Sequence, residues 1–184
     1  MRRFLPALLC LASTAQAQES LPLPVALPPD VAEAILARPD RFAATAADLI
    51  HGHGTGGGIT APMIETAIAL DRAFFRTRAL RPFLESDLDA DGSLSQAELL
   101  ARGATLSAPA RARLMRQHGE ADTDADGTLS PTELRTFAEA EVARASRPMD
   151  EAMLRAILAF DSDADGQTRL SELATALQPL APGE

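Results

Sequence analysis

The chain has 184 residues, with 17 basic and 26 acidic side chains and a formal net charge of −9. It contains no lysine, tryptophan or tyrosine, so it lacks the basic surface and most of the stacking groups that nucleic-acid binding uses. Its single cysteine, Cys10, excludes a framework of internal disulfides.

Residues 1–17 have the pattern of a secretory signal peptide. Arg2 and Arg3 give a positive start, Phe4 to Ala12 an apolar stretch too short to span a bilayer, and Ala15-Gln16-Ala17 an A-x-A cleavage site. The mature chain is then expected to begin at Gln18, in the periplasm or outside the cell, with 15 arginines against 26 acids, a net of −11. A lipid anchor at Cys10 is not expected, because Leu9 stands before it where a small residue belongs. Nothing after the signal is apolar for long enough to cross a membrane, so no membrane partner is expected.

Residues 18–39 are expected to be a proline-rich leader followed by a short helix capped by Asp30 and ending near Pro39; Asp40 to Ile50 form the next helix. Then comes "HGHGTGGGIT", residues 51–60. A phosphate-binding P-loop needs a lysine after its glycines, and the chain has none. His51 and His53 make a poor zinc or copper site, since the only other histidine is His118. Further on, Pro82 is expected to break or restart the helix that carries Phe74 and Phe75, leaving a short helix ahead of residue 87.

From there the acids concentrate in three twelve-residue stretches: "DLDADGSLSQAE" (87–98), "DTDADGTLSPTE" (122–133) and "DSDADGQTRLSE" (161–172). Each fits D-x-D-x-D-G-x5-E, and with three complete matches the chain resembles the EF-hand calcium-binding family. Calcium is a hard cation that takes six to eight oxygens, and alternate residues of a tight loop can turn their side chains to one centre. The resemblance implies ligands Asp87, Asp89, Asp91, Ser93 (carbonyl), Ser95 and Glu98 in the first loop. In the second they are Asp122, Asp124, Asp126, Thr128 (carbonyl), Ser130 and Glu133. In the third they are Asp161, Asp163, Asp165, Gln167 (carbonyl) and Glu172. Gly92, Gly127 and Gly166 fall at the sharp bend. The third loop departs from the pattern: Arg169 stands where the others carry serine, and Thr168 replaces an apolar residue. It is expected to be the weakest site.

The flanks agree with helices. Ser95 to Glu98 and Ser130 to Glu133 are capping boxes, and Met153, Ile157 and Phe160 share a helical face. The first two loops start 35 residues apart, and a further 35 residues back lies Gly52. In that register Gly57 takes the bend, Ile59 the place of Leu94 and Leu129, and Met63 the place of the closing glutamate. Residues 52–63 therefore form a degenerate hand without carboxylates, the alternative being a flexible glycine linker.

The expected fold is all-α: an EF-hand protein of two paired helix-loop-helix lobes, four hands with the first degenerate. One lobe is residues 40–104, pairing 52–63 with 87–98 through Ile59 and Leu94. The other is residues 105–178, pairing 122–133 with 161–172, with Gly103 to Ser107 between the lobes and a loose tail at 179–184. The implied function is calcium binding, about three ions, by an interaction module or buffer. A sensor would expose an apolar groove to a calcium-dependent protein partner; Met63, Met115, Met149 and Met153 either line such a groove or belong to the core. Lanthanide-binding relatives carry proline at the second loop position, where Leu88, Thr123 and Ser162 stand here. No catalytic arrangement of serine, histidine or cysteine is evident, so an enzyme is not expected.

Overall fold

The computed structural model describes residues 23–178. The expected signal peptide, the first part of the leader and the tail 179–184 lie outside the described residues. Proline opens the first two helices, α1 (Pro29–Ala37) and α2 (Pro39–His53), where its missing N–H costs no helical bond. Arg38, ahead of Pro39, leaves helical geometry at φ −149°, as a residue before proline prefers, and this separates the two. Asp30 sits inside the first turn of α1, with Pro28 in the cap position.

Helix α3 (Ala61–Leu84) is unbroken for 24 residues, contrary to the expectation at Pro82. Pro82 stands in the last turn, where it removes one backbone bond and the helix is about to end in any case. Its carbonyl then accepts the buried Ser86 hydroxyl at 2.7 Å, and the Ser86 and Asp87 amides wind back to Phe83. After the first acidic loop come α4 (Gln96–Ala104) and α5 (Ala108–Ala121); after the second, α6 (Pro131–Ala145) and α7 (Pro148–Ala156). Helix α7 tightens into a 3-10 turn, Ile157–Phe160, before the third loop, and α8 (Leu170–Leu177) follows. Helices α4 and α6 start with the expected capping boxes on Ser95 and Ser130.

The hands do not pair as expected. Strand β1 (Gly58–Ile59) of the degenerate hand lies antiparallel to β2 (Thr168–Arg169) of the third acidic loop, with Ile59 opposite Thr168. Leu94 instead pairs with Leu129, joining the first and second acidic loops through two 2.9 Å backbone bonds. The physical reason is α3. At 1.5 Å per residue its 24 residues form a rod of about 36 Å, which carries loops 52–63 and 87–98 to opposite ends. The chain is therefore nested, an inner pair of hands inserted between the two halves of an outer pair, and the expected division at residue 104 does not hold. Gly103 ends up in the last turn of α4, and Thr105 to Ser107 turn the chain from α4 into α5 inside the inner pair.

Each pair has its own core. The outer one gathers Ile35, Phe42, Ile50, Ile59, Ile64, Ile68, Ile157, Phe160 and Leu173 with smaller neighbours. The inner one contains Phe83, Leu94, Leu99, Leu114, Leu129, Leu134 and Phe137. Helix α3 serves both, giving Ile64 and Ile68 to one and Ala79 and Phe83 to the other, and it packs along α6. Met63, Met149 and Met153 pack against the outer core and Met115 against the inner, so the methionines are core residues. No helix among the described residues is long and apolar enough to cross a membrane.

Candidate metal centres

Each acidic loop brings three carboxylates to one point. Asp87, Asp89 and Glu98 each offer an oxygen within 4.8 Å of the others, and so do Asp122, Asp124 and Glu133, and Asp161, Asp163 and Glu172. These are positions 1, 3 and 12 of the loops, presented by the end of one helix and the first turn of the next. The bend is made by Gly92, Gly127 and Gly166 at φ 84° to 85°, a region where a side chain would be strained. Ala90, Ala125 and Ala164 also take positive φ (56° to 59°), so the three loops share one backbone path.

The fifth-position aspartates Asp91, Asp126 and Asp165 fall outside these trios. Each accepts the amide two residues on, from Ser93 (2.7 Å), Thr128 (2.7 Å) and Gln167 (2.8 Å), which curls the chain around the centre. Ser95 and Ser130 turn their hydroxyls onto Glu98 Oε2 (2.7 Å) and Glu133 Oε2 (2.9 Å), closing the capping boxes. Position 2 also contributes. The amides of Leu88, Thr123 and Ser162 hold the other oxygen of the closing glutamate at 2.7 to 2.8 Å, and the Thr123 and Ser162 hydroxyls add a second bond. Hydroxyl residues at that position were the available sequence signal for this contact.

These donors set the charge of the glutamates. Backbone and hydroxyl bonds from Ser95, with the Leu88 amide, pull Glu98 down to about 2 from the ordinary 4.5. The Ser130 and Thr123 amides and the Ser130 hydroxyl do the same for Glu133, also to about 2. Burial pushes Glu172 upward, yet the amide of Arg169 and the hydroxyl and amide of Ser162 outweigh it and leave it lowered. All three are therefore anionic at neutral pH.

The donor set suits a hard cation, and the first two loops show a specific demand for one. Asp87 Oδ1 and Asp122 Oδ1 are buried and accept no hydrogen bond. A buried carboxylate oxygen without a partner is costly, and an ion at the centre of the trio would supply the missing interaction. Asp161 differs, because its Oδ1 accepts the Asp165 amide at 3.2 Å.

The degenerate hand is closed differently. Helix α2 continues through His53, and Thr55 and Gly58 then exchange both backbone bonds, at 3.0 and 3.3 Å, across Gly56 (φ 62°) and Gly57 (φ 83°). Two successive positive φ values make this a tight hairpin turn that satisfies its own backbone. Gly54 has no room for a side chain: a Cβ there would lie 2.4 Å from the Ile50 carbonyl oxygen and 2.5 Å from that of Gly58. The turn also bonds across the pair, where the Gln167 side-chain amide donates to the Thr55 carbonyl at 2.8 Å. The acidic trios found among the described residues all lie in the three acidic loops.

A family model described as EF hand matches residues 119–138, the end of α5, the second acidic loop and the start of α6. No curated protein matches the chain, and no solved structure does. The matched segment supports an EF-hand family, and the fold is all-α and of EF-hand type.

Proposed function

We propose that the protein is a secreted or periplasmic calcium-binding protein that takes about three ions in loops 87–98, 122–133 and 161–172 and works as a calcium-dependent interaction module or buffer. The observation that carries this reading is the pair of buried, unpartnered oxygens of Asp87 and Asp122, each in a trio of carboxylates. Asp87, Asp89 and Glu98 with their counterparts would hold the ion, Asp91 and Asp126 adding their free oxygens, Asp165 the one that Arg169 holds, and Ser93, Thr128 and Gln167 their carbonyls. We assign the protein no catalytic step. Removal of residues 1–17 is tested by mass spectrometry of the exported protein, which should begin at Gln18.

Calorimetric titration of the chelator-stripped protein tests the metal reading. About three ions bound, with dissociation constants at or below about 10 μM, would agree with a buffer or sensor. The absence of any heat, with no calcium retained on dialysis, would overturn it.

One observation favours the sensor role. A cleft of about 360 Å³ lies along the inner pair, with an apolar wall of Phe75, Pro82 and Ala145 and a charged one of Arg78, Arg113 and Glu141. A sensor would widen this cleft on binding calcium and present it to a partner. Capture of a partner only with calcium present, lost on Phe75→Glu at the partly exposed wall of the cleft, would support that role.

A further inference from the structure

The three acidic loops share a backbone path but differ at the ninth position, and the side chain there changes what the loop requires. Ser95 and Ser130 face their own closing glutamates. Arg169 reaches back across its loop instead. Its Nη2 lies 2.5 Å from Asp165 Oδ2 and 3.3 Å from Gln167 Oε1, and its Nη1 lies 3.5 Å from Asp163 Oδ2. The carboxylates at positions 3 and 5 thus already face a positive charge, one that belongs to the chain. The first position is satisfied as well, since Asp161 accepts amides at both oxygens, from Asp165 and Gly166, whereas Asp87 and Asp122 each leave one oxygen without a partner.

The same loop is braced from outside. Gln167 bonds to Thr55, and Thr168 is fully buried opposite Ile59 in the β1–β2 pairing, where its backbone is paired although its uncharged hydroxyl has no partner. The hairpin it leans on holds no carboxylate and closes by its own backbone bonds. The inner pair is joined too, by the Leu94–Leu129 backbone bonds, but neither of its loops leans on a self-closed hairpin and neither contains a cation to set against its four carboxylates, Asp87, Asp89, Asp91 and Glu98 in one and Asp122, Asp124, Asp126 and Glu133 in the other.

We infer that Arg169 is a tethered cation that takes part of calcium's place in loop 161–172, so that the outer pair keeps its fold without calcium while the inner pair depends on it. The inference rests on the calcium reading above and deepens it by dividing the hands into a permanent scaffold and a metal-responsive insert. Removing the ion from the inner loops leaves three like charges around one point with a fourth beside them, and should loosen α4, α5 and the start of α6. Removing it from the third loop leaves the Arg169 contacts in place.

The test uses the full mature chain, calcium as the probe, and two readouts, calorimetry and native-state hydrogen exchange. In wild type, chelator is expected to lower the protection of the Leu99 and Leu134 amides at least tenfold while leaving Ile157 and Leu173 protected. Calcium should fill two sites tightly and a third more weakly. Arg169→Ser should tighten the third site about tenfold, because the competing charge is gone, and should make the protection of Ile157 and Leu173 calcium-dependent. Arg169→Lys, which keeps the charge, should stay close to wild type. Equal loss of protection in both pairs of the wild type, or an Arg169→Ser titration identical to wild type, would overturn the inference and leave calcium binding standing. No ion bound by either protein would overturn the calcium reading and the inference together.

Discussion

The outer and inner pairs are built from the same helix-loop-helix unit and joined by the same kind of backbone contact across their loops, yet they reach stability by different means. The outer pair draws on both ends of the described chain, 29–68 and 148–177, and joins a self-closed hairpin to a loop partly neutralised by Arg169. The inner pair is a contiguous segment whose two loops each leave a buried carboxylate oxygen unpartnered. A loop without carboxylates can thus hold its place in a pair through backbone bonds and apolar burial alone.

The largest effect that could break this comparison lies in the inner core. Phe83 is 1% exposed and meets Phe137 edge-on with ring centroids 5.3 Å apart. Phe83→Ala should cost about 3–5 kcal/mol, the range for truncating a buried phenylalanine. Calcium at a hundred times the dissociation constant offsets about 2.7 kcal/mol per filled site. Urea unfolding followed by circular dichroism should therefore show the inner pair lost in chelator and recovered in calcium. Loss of both pairs together would remove the distinction between them.

Gly54→Ala probes the other side. The added Cβ would meet two backbone oxygens that cannot swing away, so the hairpin must shift, at a cost of about 1–3 kcal/mol. Because the turn holds no carboxylate, the loss should be the same with and without calcium in matched unfolding curves. A loss that calcium reverses would show that the metal-free hand is coupled to ion binding.

What the sequence made legible, and what it hid, follows the same line. The three loops, their bends and their capping boxes were readable because the EF-hand pattern sets residue types at fixed spacings. The bend at Gly57 followed by extending the 35-residue interval backwards. The pairing was not readable, since it depends on whether the chain between two loops turns or stays straight. Pro82 pointed to a turn, but a proline in the last turn of a helix gives up only one bond, and α3 stays whole. Thr168 held a partial signal, because a polar residue at a pairing position asks for an unusual neighbour, and it lies opposite the one hand without acids. Arg169 was visible as an odd cation, while its reach to Asp163 and Asp165 required the folded loop.

Acid should separate the pairs by a smaller margin. Glu98 and Glu133 sit near 2 in the folded inner pair and near 4.5 when unfolded, so their contribution is fully present above about 4.5 and is lost as the pH falls towards 2. Glu172 is also lowered, but burial, a lesser influence on the other two, is the largest one on it and opposes the shift. In chelator, an NMR pH titration should therefore show Leu99 and Leu134 signals melting within that window before those of Ile157 and Leu173. The reverse order would mean that the outer loop depends more on its glutamate than the Arg169 contacts imply.

The smallest effect concerns the middle of α3, between Ile68 of one core and Ala79 of the other. There Arg72 grips Glu151 of α7 with both carboxylate oxygens, at 2.7 and 2.8 Å, and Arg155 of α7 reaches back to Glu65 at 2.6 Å. These bonds tie the shared helix to the outer pair, against the 2.6 Å Arg76–Glu139 bond that ties it to α6 of the inner one, so they help set whether the rod moves with the scaffold or with the insert. Arg72 is 44% exposed at its side chain, so water and salt screen the pair, and Arg72→Ala should cost no more than about 1 kcal/mol. Glu151 keeps a partner in Arg155 at 3.3 Å, which limits the damage. A double-mutant cycle with Glu151→Gln, run at low and high salt, should give a coupling that shrinks as salt rises and affects outer-pair amides only. If the coupling appears instead in Leu99 or Leu134, α3 transmits between the pairs, and occupancy of the inner loops is felt by the scaffold that holds them.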